Sequence, residues 1–150
     1  MKFTEAQLEE AIIELLGEQG YPHALGENIA RGPEEVLFKD DLRENLRVRY
    51  TGEGITDGEI EFIVNKIERL PASDLYGSNK AFMKMVSDGF LLKRADRSQK
   101  DLFIHLIDYS PADRNVYKIV NQLEIVGFEK RIPDGILYIN GLPLVVFEFK

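Results

Sequence analysis

Residues 131–150 read Arg-Ile-Pro-Asp-Gly-Ile-Leu-Tyr-Ile-Asn-Gly-Leu-Pro-Leu-Val-Val-Phe-Glu-Phe-Lys, and this stretch decides how the end of the chain folds. Two apolar segments, 135–139 and 144–149, flank the dipeptide Asn140-Gly141. That dipeptide is the strongest short signal for a tight β-hairpin turn, because both residues tolerate a positive φ. The stretch therefore predicts two adjacent antiparallel strands.

Outward from this hairpin, the sequence predicts helices first and strands last. Helical spacing of apolar residues, or a capping residue before such a run, predicts helices over residues 5–18, 40–49, 57–70 and 79–87. Thr4 with Gln7 fits a capping box, and Thr56 is a good N-cap. Strands are predicted over 102–107 and 116–128, and an irregular segment with a Gly32-Pro33 turn over 26–39. We expect one α/β domain, residues 1–150, with a mixed central sheet flanked by helices and a helical N-terminal part.

Composition excludes several classes of site. The chain has no cysteine and only two histidines, so a metal site should use carboxylate oxygens and hold magnesium or manganese. No apolar run is long enough to span a bilayer, and the first residues do not resemble a signal peptide, so we expect a cytoplasmic protein with no membrane partner. The formal net charge of −7 argues against one broad basic DNA-binding face.

The motif that carries chemistry is Pro133-Asp134, thirteen intervening residues, and then Glu148-Phe149-Lys150. Hydrolysis of a phosphodiester needs a divalent cation beside the phosphate, and magnesium is satisfied by one or two protein carboxylates plus water. Asp134 and Glu148 would supply these carboxylates. Lys150 follows Glu148 by two residues, so both side chains emerge on one face of a strand, where the ammonium could stabilise the developing negative charge.

Each half of this motif also has a structural interpretation. Glu and Lys often alternate on solvated strand faces, and Pro-Asp is common in turns. A further metal ligand could come from the first helix, where Glu9 stands at the edge of the apolar stripe, although a solvated helix face is the more common reason for such a residue, because the helix dipole also favours acidic first turns. The least acidic region contains Asn79, Lys80, Lys84, Lys93, Arg94, Arg97 and Lys100, which could contact phosphate or form a solvated basic face.

The hairpin makes a geometric demand on the carboxylate pair. A regular two-residue turn at Asn140-Gly141 would set Asp134 opposite Phe147, with Asp134 and Glu148 on opposite faces of the sheet. An odd-length loop or one β-bulge between them would place both on the same face. We therefore predict one of these two features, with the carboxylates within about 6 Å of each other so that they can share a cation.

Residues 131–150 resemble the nuclease motif of type I restriction endonuclease R subunits, in which an Asp, then Asn-Gly-Leu-Pro-Leu, then Glu-x-Lys occur in that order. The opening Thr4-Glu5-Ala6-Gln7-Leu8-Glu9 with Gln19-Gly20-Tyr21 is similar too, as are Asp108-Tyr109, Asn115 and Val120-Asn121-Gln122. The resemblance covers the whole chain.

The resemblance implies a magnesium-dependent, restriction-endonuclease-like domain of the PD-(D/E)xK superfamily that cuts double-stranded DNA. It implies Asp134 and Glu148 as metal ligands and Lys150 as a catalytic residue. It also implies a much longer translocase subunit, with ATP used only by motor domains outside these residues, that assembles with modification and specificity subunits. A catalytically silent docking or DNA-contact module of the same fold is the alternative, and a stand-alone nuclease such as a junction resolvase is a third.

Overall fold

The computed structural model describes residues 2, 4–32, 34–70, 75–126 and 130–149. In chain order its elements are α1 (Glu5–Glu18), β1 (His23–Leu25), α2 (Lys39–Arg49), α3 (Asp57–Glu68), α4 (Leu75–Asp88), β2 (Phe90–Leu92), β3 (Leu102–Ile104), β4 (Tyr117–Asn121), β5 (Ile125–Val126), β6 (Lys130–Arg131), β7 (Gly135–Ile139) and β8 (Leu142–Phe147). Short 3₁₀ turns occupy Gly26–Asn28 and Thr51–Glu53. Contacts divide the chain into two compact units, which we name the sheet unit (residues 1–38 and 116–150) and the helical unit (residues 39–115).

The sheet unit is built on a four-stranded mixed sheet in the order β1-β4-β7-β8. Strand β1 runs parallel to β4, and the β4–β7 and β7–β8 pairs are antiparallel. One buried cluster contains Phe38, Val120, Leu123, Ile136 and Tyr138, and the rings of Phe38 and Tyr138 stack with their centroids 3.9 Å apart. This apolar cluster fixes the sheet whose end carries the candidate site.

The helical unit contains α2, α3, α4 and the antiparallel β2–β3 ribbon. Its core consists of apolar side chains with almost no exposed surface, among them Leu42, Leu46, Ile60, Ile63, Ile104 and Leu106. One ion pair is also buried there: the Arg94 guanidinium contacts the Glu59 carboxylate at 2.8 Å, and each side chain is 5% exposed. That pair connects the N-terminal turn of α3 to the loop after β2.

The predicted α/β class with a mixed central sheet is confirmed, and it is consistent with a restriction-endonuclease-like core. Helix α1 has the predicted bounds and capping box, and α3 is capped by Thr56 in the same way. Of the described helices, none is both long and apolar enough to cross a bilayer.

Several predicted strands and helices differ from the structure. Strand β1 was not predicted, since three residues are too few to show alternation. The predicted strand over 116–128 is broken at Gln122, whose φ of 53° ends β4. Strand β3 ends at Ile104, because the next backbone N–H, that of His105, donates to the Tyr50 hydroxyl at 2.7 Å instead of to a strand. Helix α4 begins at Leu75, four residues earlier than predicted, and the predicted turn at Pro33 lies outside the described residues.

Candidate functional site

The turn between β7 and β8 sets the geometry of the site. Asn140 and Gly141 both have positive φ, 53° and 79°, and Ile139 pairs with Leu142 across them. This is the two-residue hairpin that the Asn-Gly dipeptide predicts. Asn140 is fully buried, and its side-chain oxygen accepts a hydrogen bond from the backbone N–H of Val116 at 2.7 Å. The turn is therefore held against the start of β4.

A β-bulge follows the turn on strand β8. Tyr138 pairs with Pro143, but the next residue of β7, Leu137, pairs with Val145, so Leu144 is an extra residue without a partner in the ladder. From there the register runs through Ile136–Val146 to Gly135–Phe147. The prediction of one bulge between Asp134 and Glu148 is confirmed. The ladder ends at Gly135–Phe147, and continuing its register by one residue sets Asp134 opposite Glu148. Directly opposed residues of an antiparallel pair point to the same face of a sheet.

The two carboxylates have different surroundings. Asp134 is half-buried, and its Oδ2 accepts a hydrogen bond from the backbone N–H of Phe149 at 2.6 Å. Glu148 is exposed. Among the described residues, neither Oδ1 of Asp134 nor either carboxylate oxygen of Glu148 has a hydrogen-bond or ion-pair partner. Three carboxylate oxygens at one end of the sheet are thus available to an external ligand.

This donor set fits a hard divalent cation. Magnesium takes oxygen ligands and usually keeps several waters, so two carboxylates are enough. Within the part of the chain that the structure describes, no group of three or more His, Cys, Asp or Glu side chains could hold a metal ion, so any site here depends on the pair. The carboxylate separation of about 6 Å stays a prediction. Lys150, the third predicted catalytic residue, lies outside the described residues.

Glu9 lies at the same end of the sheet but is engaged elsewhere. Its Oε1 accepts hydrogen bonds from the side-chain amides of Asn121 at 2.8 Å and Gln122 at 3.1 Å, at the end of β4. Asn121 in turn contacts His23 Nε2 through its Oδ1 at 2.6 Å. Glu9 thus joins α1 to the sheet, and its role as a metal ligand stays a prediction.

The hydrogen-bonded chain of Glu9, Asn121 and His23 was not predicted from the sequence. The three residues belong to α1, β4 and β1, so no local spacing connects them. They become neighbours only because β1 pairs with β4 and α1 packs against β4. Continuing the β4–β7 register by one residue sets Asn121 opposite Gly135, beside Asp134. These three hydrogen-bonded side chains therefore lie at the same end of the sheet as the carboxylate pair.

Comparison with known proteins identifies the class. Residues 2–150 match the family model described as the type I restriction enzyme R protein N terminus. A relative in Haemophilus influenzae, named type I restriction enzyme HindI endonuclease subunit, is 31% identical over 98% of this chain and 15% of its own length. The type I restriction enzyme SsaAORF53P endonuclease subunit of Staphylococcus saprophyticus is 27% identical over 98% of this chain and 15% of its own length.

The chain therefore belongs to the family of N-terminal regions of type I restriction enzyme R proteins. It spans about 15% of the length of these curated relatives.

Proposed function

We propose that this chain is the DNA endonuclease part of a type I restriction enzyme R subunit and hydrolyses phosphodiester bonds of double-stranded DNA with magnesium. The observation that carries the proposal is the bulge at Leu144, because the register that follows it, continued by one residue, sets Asp134 opposite Glu148 despite the two-residue turn. A solvated strand pair would not need two adjacent carboxylates, since like charges directly opposite each other destabilise a sheet. A shared cation removes that repulsion.

The division of roles follows from the surroundings of each group. When bound, magnesium or manganese would polarise the scissile phosphate and lower the pKa of an attacking water. Asp134 is held in one orientation by the Phe149 N–H, so it provides a fixed ligand oxygen. Glu148, exposed to solvent, provides the second carboxylate where DNA can approach. Lys150, two residues further on, would carry its ammonium on the same face and stabilise charge that develops on the phosphate.

The longer protein would carry the remaining activities. The relatives are endonuclease subunits of which this chain spans a small part, so ATP-driven translocation would belong to motor domains outside these residues. The partners would be double-stranded DNA, those motor domains, and the modification and specificity subunits of the complex. The protein would act in the cytoplasm, where it meets foreign DNA.

Cleavage and ATP hydrolysis should separate in the full-length R subunit assembled with its partner subunits. We expect Asp134→Asn, Glu148→Gln and Lys150→Ala each to abolish cleavage of a circular plasmid while ATP hydrolysis continues, because cutting and pumping use separate sites. Glu44→Gln, an exposed carboxylate paired with Arg47 in the helical unit, is the matched control and should cut normally. Retained cleavage in all three variants would show that DNA is cut at another site and that this chain is a docking module without a nuclease site.

A further inference from the structure

We infer, resting on the proposed function, that the loop between β2 and β3 binds the phosphate backbone of duplex DNA through Lys93, Arg97 and Lys100. Four of the nine residues from 93 to 101 are Lys or Arg and two, Asp96 and Asp101, are acidic, in a chain whose formal net charge is −7. We name this loop, residues 93–101, the basic loop. Its charge is opposite in sign to that of the chain as a whole.

The cations of the basic loop are available to a ligand. Lys93, Arg97 and Lys100 are exposed, and no carboxylate of the described residues pairs with any of them. Two other arginines of the helical unit do pair: the half-buried Arg43 contacts Asp40 and Glu61, and the exposed Arg47 contacts Glu44 and Asp57. The basic loop thus concentrates positive charge that the described part of the protein does not neutralise.

The fourth cation, Arg94, has a different task. It is buried, where its Nε and Nη2 contact the Glu59 carboxylate, while Nη1 and Nη2 donate to the backbone carbonyls of Glu53 and Gly54 at 3.0 Å. The backbone N–H of Ala95 also donates to Glu59, at 3.3 Å. Arg94 therefore anchors the base of the basic loop to the start of α3 and is not itself free to bind phosphate.

Hydrogen bonds between residues close in sequence shape the rest of the loop. The Asp96 carboxylate accepts from the backbone N–H and the hydroxyl of Ser98, at 3.0 and 2.6 Å, and the Gln99 N–H donates to the Asp96 carbonyl at 3.1 Å. These bonds hold the loop in a turn, so less conformational entropy is lost when a ligand binds. A cavity of about 240 Å³ opens beside the turn, lined by Lys93, Arg94, Arg97, Gln99 and Asp101.

This lining favours nucleic acid over a protein partner. Every lining side chain is polar or charged, whereas the centre of a protein–protein interface is depleted of charge and enriched in apolar side chains. Phosphate contacts need only exposed Lys and Arg, and they are independent of DNA sequence. The sheet unit that carries the carboxylate pair has twelve acidic and six basic residues, so it cannot attract DNA by its own charge. A basic loop on the helical unit would supply that attraction.

The test measures binding of the 150-residue chain to a short fluorescein-labelled DNA duplex over a range of KCl concentrations, without divalent cations. The variant Lys93→Gln/Arg97→Gln/Lys100→Gln should bind more weakly, and its salt dependence should flatten by about 0.9 in the log–log slope for each phosphate that is no longer neutralised. Its thermal midpoint should match the parent, because these side chains are exposed and unpaired among the described residues.

The matched comparison is Arg69→Gln/Lys80→Gln/Lys84→Gln, which removes the same charge outside the basic loop, from exposed positions of the helical unit that have no ion-pair partner among the described residues. Since Lys80 and Lys84 belong to the wider basic region of the sequence, this comparison separates the basic loop from the rest of that region. An equal weakening of binding in both variants, or an unchanged slope in the basic-loop variant, would overturn the inference. Displacement of the DNA by polyglutamate at an equal concentration of negative charge would also overturn the inference, because it would indicate that the loop binds an acidic protein. The titration measures DNA binding and not cleavage. Repeating it with Asp134→Asn, which changes the proposed metal site and leaves the basic loop intact, therefore separates failure of this inference from failure of the nuclease proposal.

Discussion

At the level of single residues, Glu59 keeps a negative charge inside the helical unit because donors surround it. Arg94 contacts both of its oxygens, and the backbone N–H groups of Thr56 and Ala95 donate to it. Glu59→Gln would leave the Arg94 charge buried and unpaired, so the free energy of unfolding should fall by about 3 kcal/mol. Urea denaturation at neutral pH measures this, with the exposed Asp57→Asn as a control that should stay close to the parent. Equal stability of both variants would show that the buried pair contributes little.

The same residue makes stability depend on pH. Burial raises the pKa of Glu59, but the hydrogen bonds from Arg94, Thr56 and Ala95 outweigh burial and lower it. Hydrogen bonds from the Ser110 hydroxyl and the Arg114 backbone lower the pKa of Asp108 as well. A carboxylate whose pKa is lower in the folded state than in the unfolded state stabilises the fold at pH values above its unfolded-state pKa of about 4. That contribution is lost as the pH falls through the folded-state pKa. The urea midpoint should therefore drop as the solution is acidified below about pH 4, and drop less in Glu59→Gln.

The candidate catalytic residues were proposed from the sequence, and their roles stay a prediction. Asp134, Glu148 and Lys150 could be chosen from the sequence because their spacing and the resemblance agree. The partners of Glu9 could not, since Asn121 and His23 reach it through tertiary packing. The buried role of Arg94 was missed for the same reason: in the sequence it is one of several cations in a basic stretch, and only the fold sets it against Glu59.

At the level of elements, the β8 bulge changes the register of the hairpin so that, continued by one residue, it sets Asp134 opposite Glu148 despite the two-residue turn. Deleting Leu144 would convert the bulged strand into a regular ladder that still ends with Asp134 opposite Glu148. Inserting one glycine after Leu144 would require a two-residue bulge or a shift that separates the pair. We expect manganese to broaden the amide resonances of Gly135 and Phe149 in the deletion variant as in the parent, and to spare them in the insertion variant. Equal broadening in both would show that the metal does not depend on this register.

Elements with strong local signals were predicted well, and those set by neighbours were not. The capping boxes at Thr4 and Thr56 and the Asn140-Gly141 turn each satisfy their own backbone hydrogen bonds, so the sequence marks them directly. Strand β1 is three residues long and depends on pairing with β4. The alternation of side chains along the hairpin required a bulge or a longer loop, but the position of the bulge at Leu144 was visible only in the structure.

At the level of the whole molecule, the helical unit interrupts the sheet unit in sequence. The chain leaves the sheet unit after Phe38 and returns at Val116. Both residues are held by the same turn: the Phe38 N–H donates to the Gly141 carbonyl at 3.0 Å, and the Asn140 N–H donates to the Val116 carbonyl at 2.8 Å. The two chain ends of the sheet unit are therefore close together, an arrangement typical of an inserted domain.

Replacing the helical unit tests the prediction that residues 1–150 form one domain. If the units fold independently, substituting a short Gly-Ser linker for residues 39–115 should leave the sheet unit folded, because its core cluster of Phe38, Val120, Leu123, Ile136 and Tyr138 and its four-stranded sheet remain complete. Dispersed amide resonances and the same manganese broadening at Gly135 and Phe149 would show a folded unit with its carboxylate pair intact. Collapse of the spectrum in this variant, together with unfolding of an isolated 39–115 fragment, would show one cooperative domain. A folded sheet unit that no longer responds to manganese would show that its carboxylate pair alone does not bind the metal.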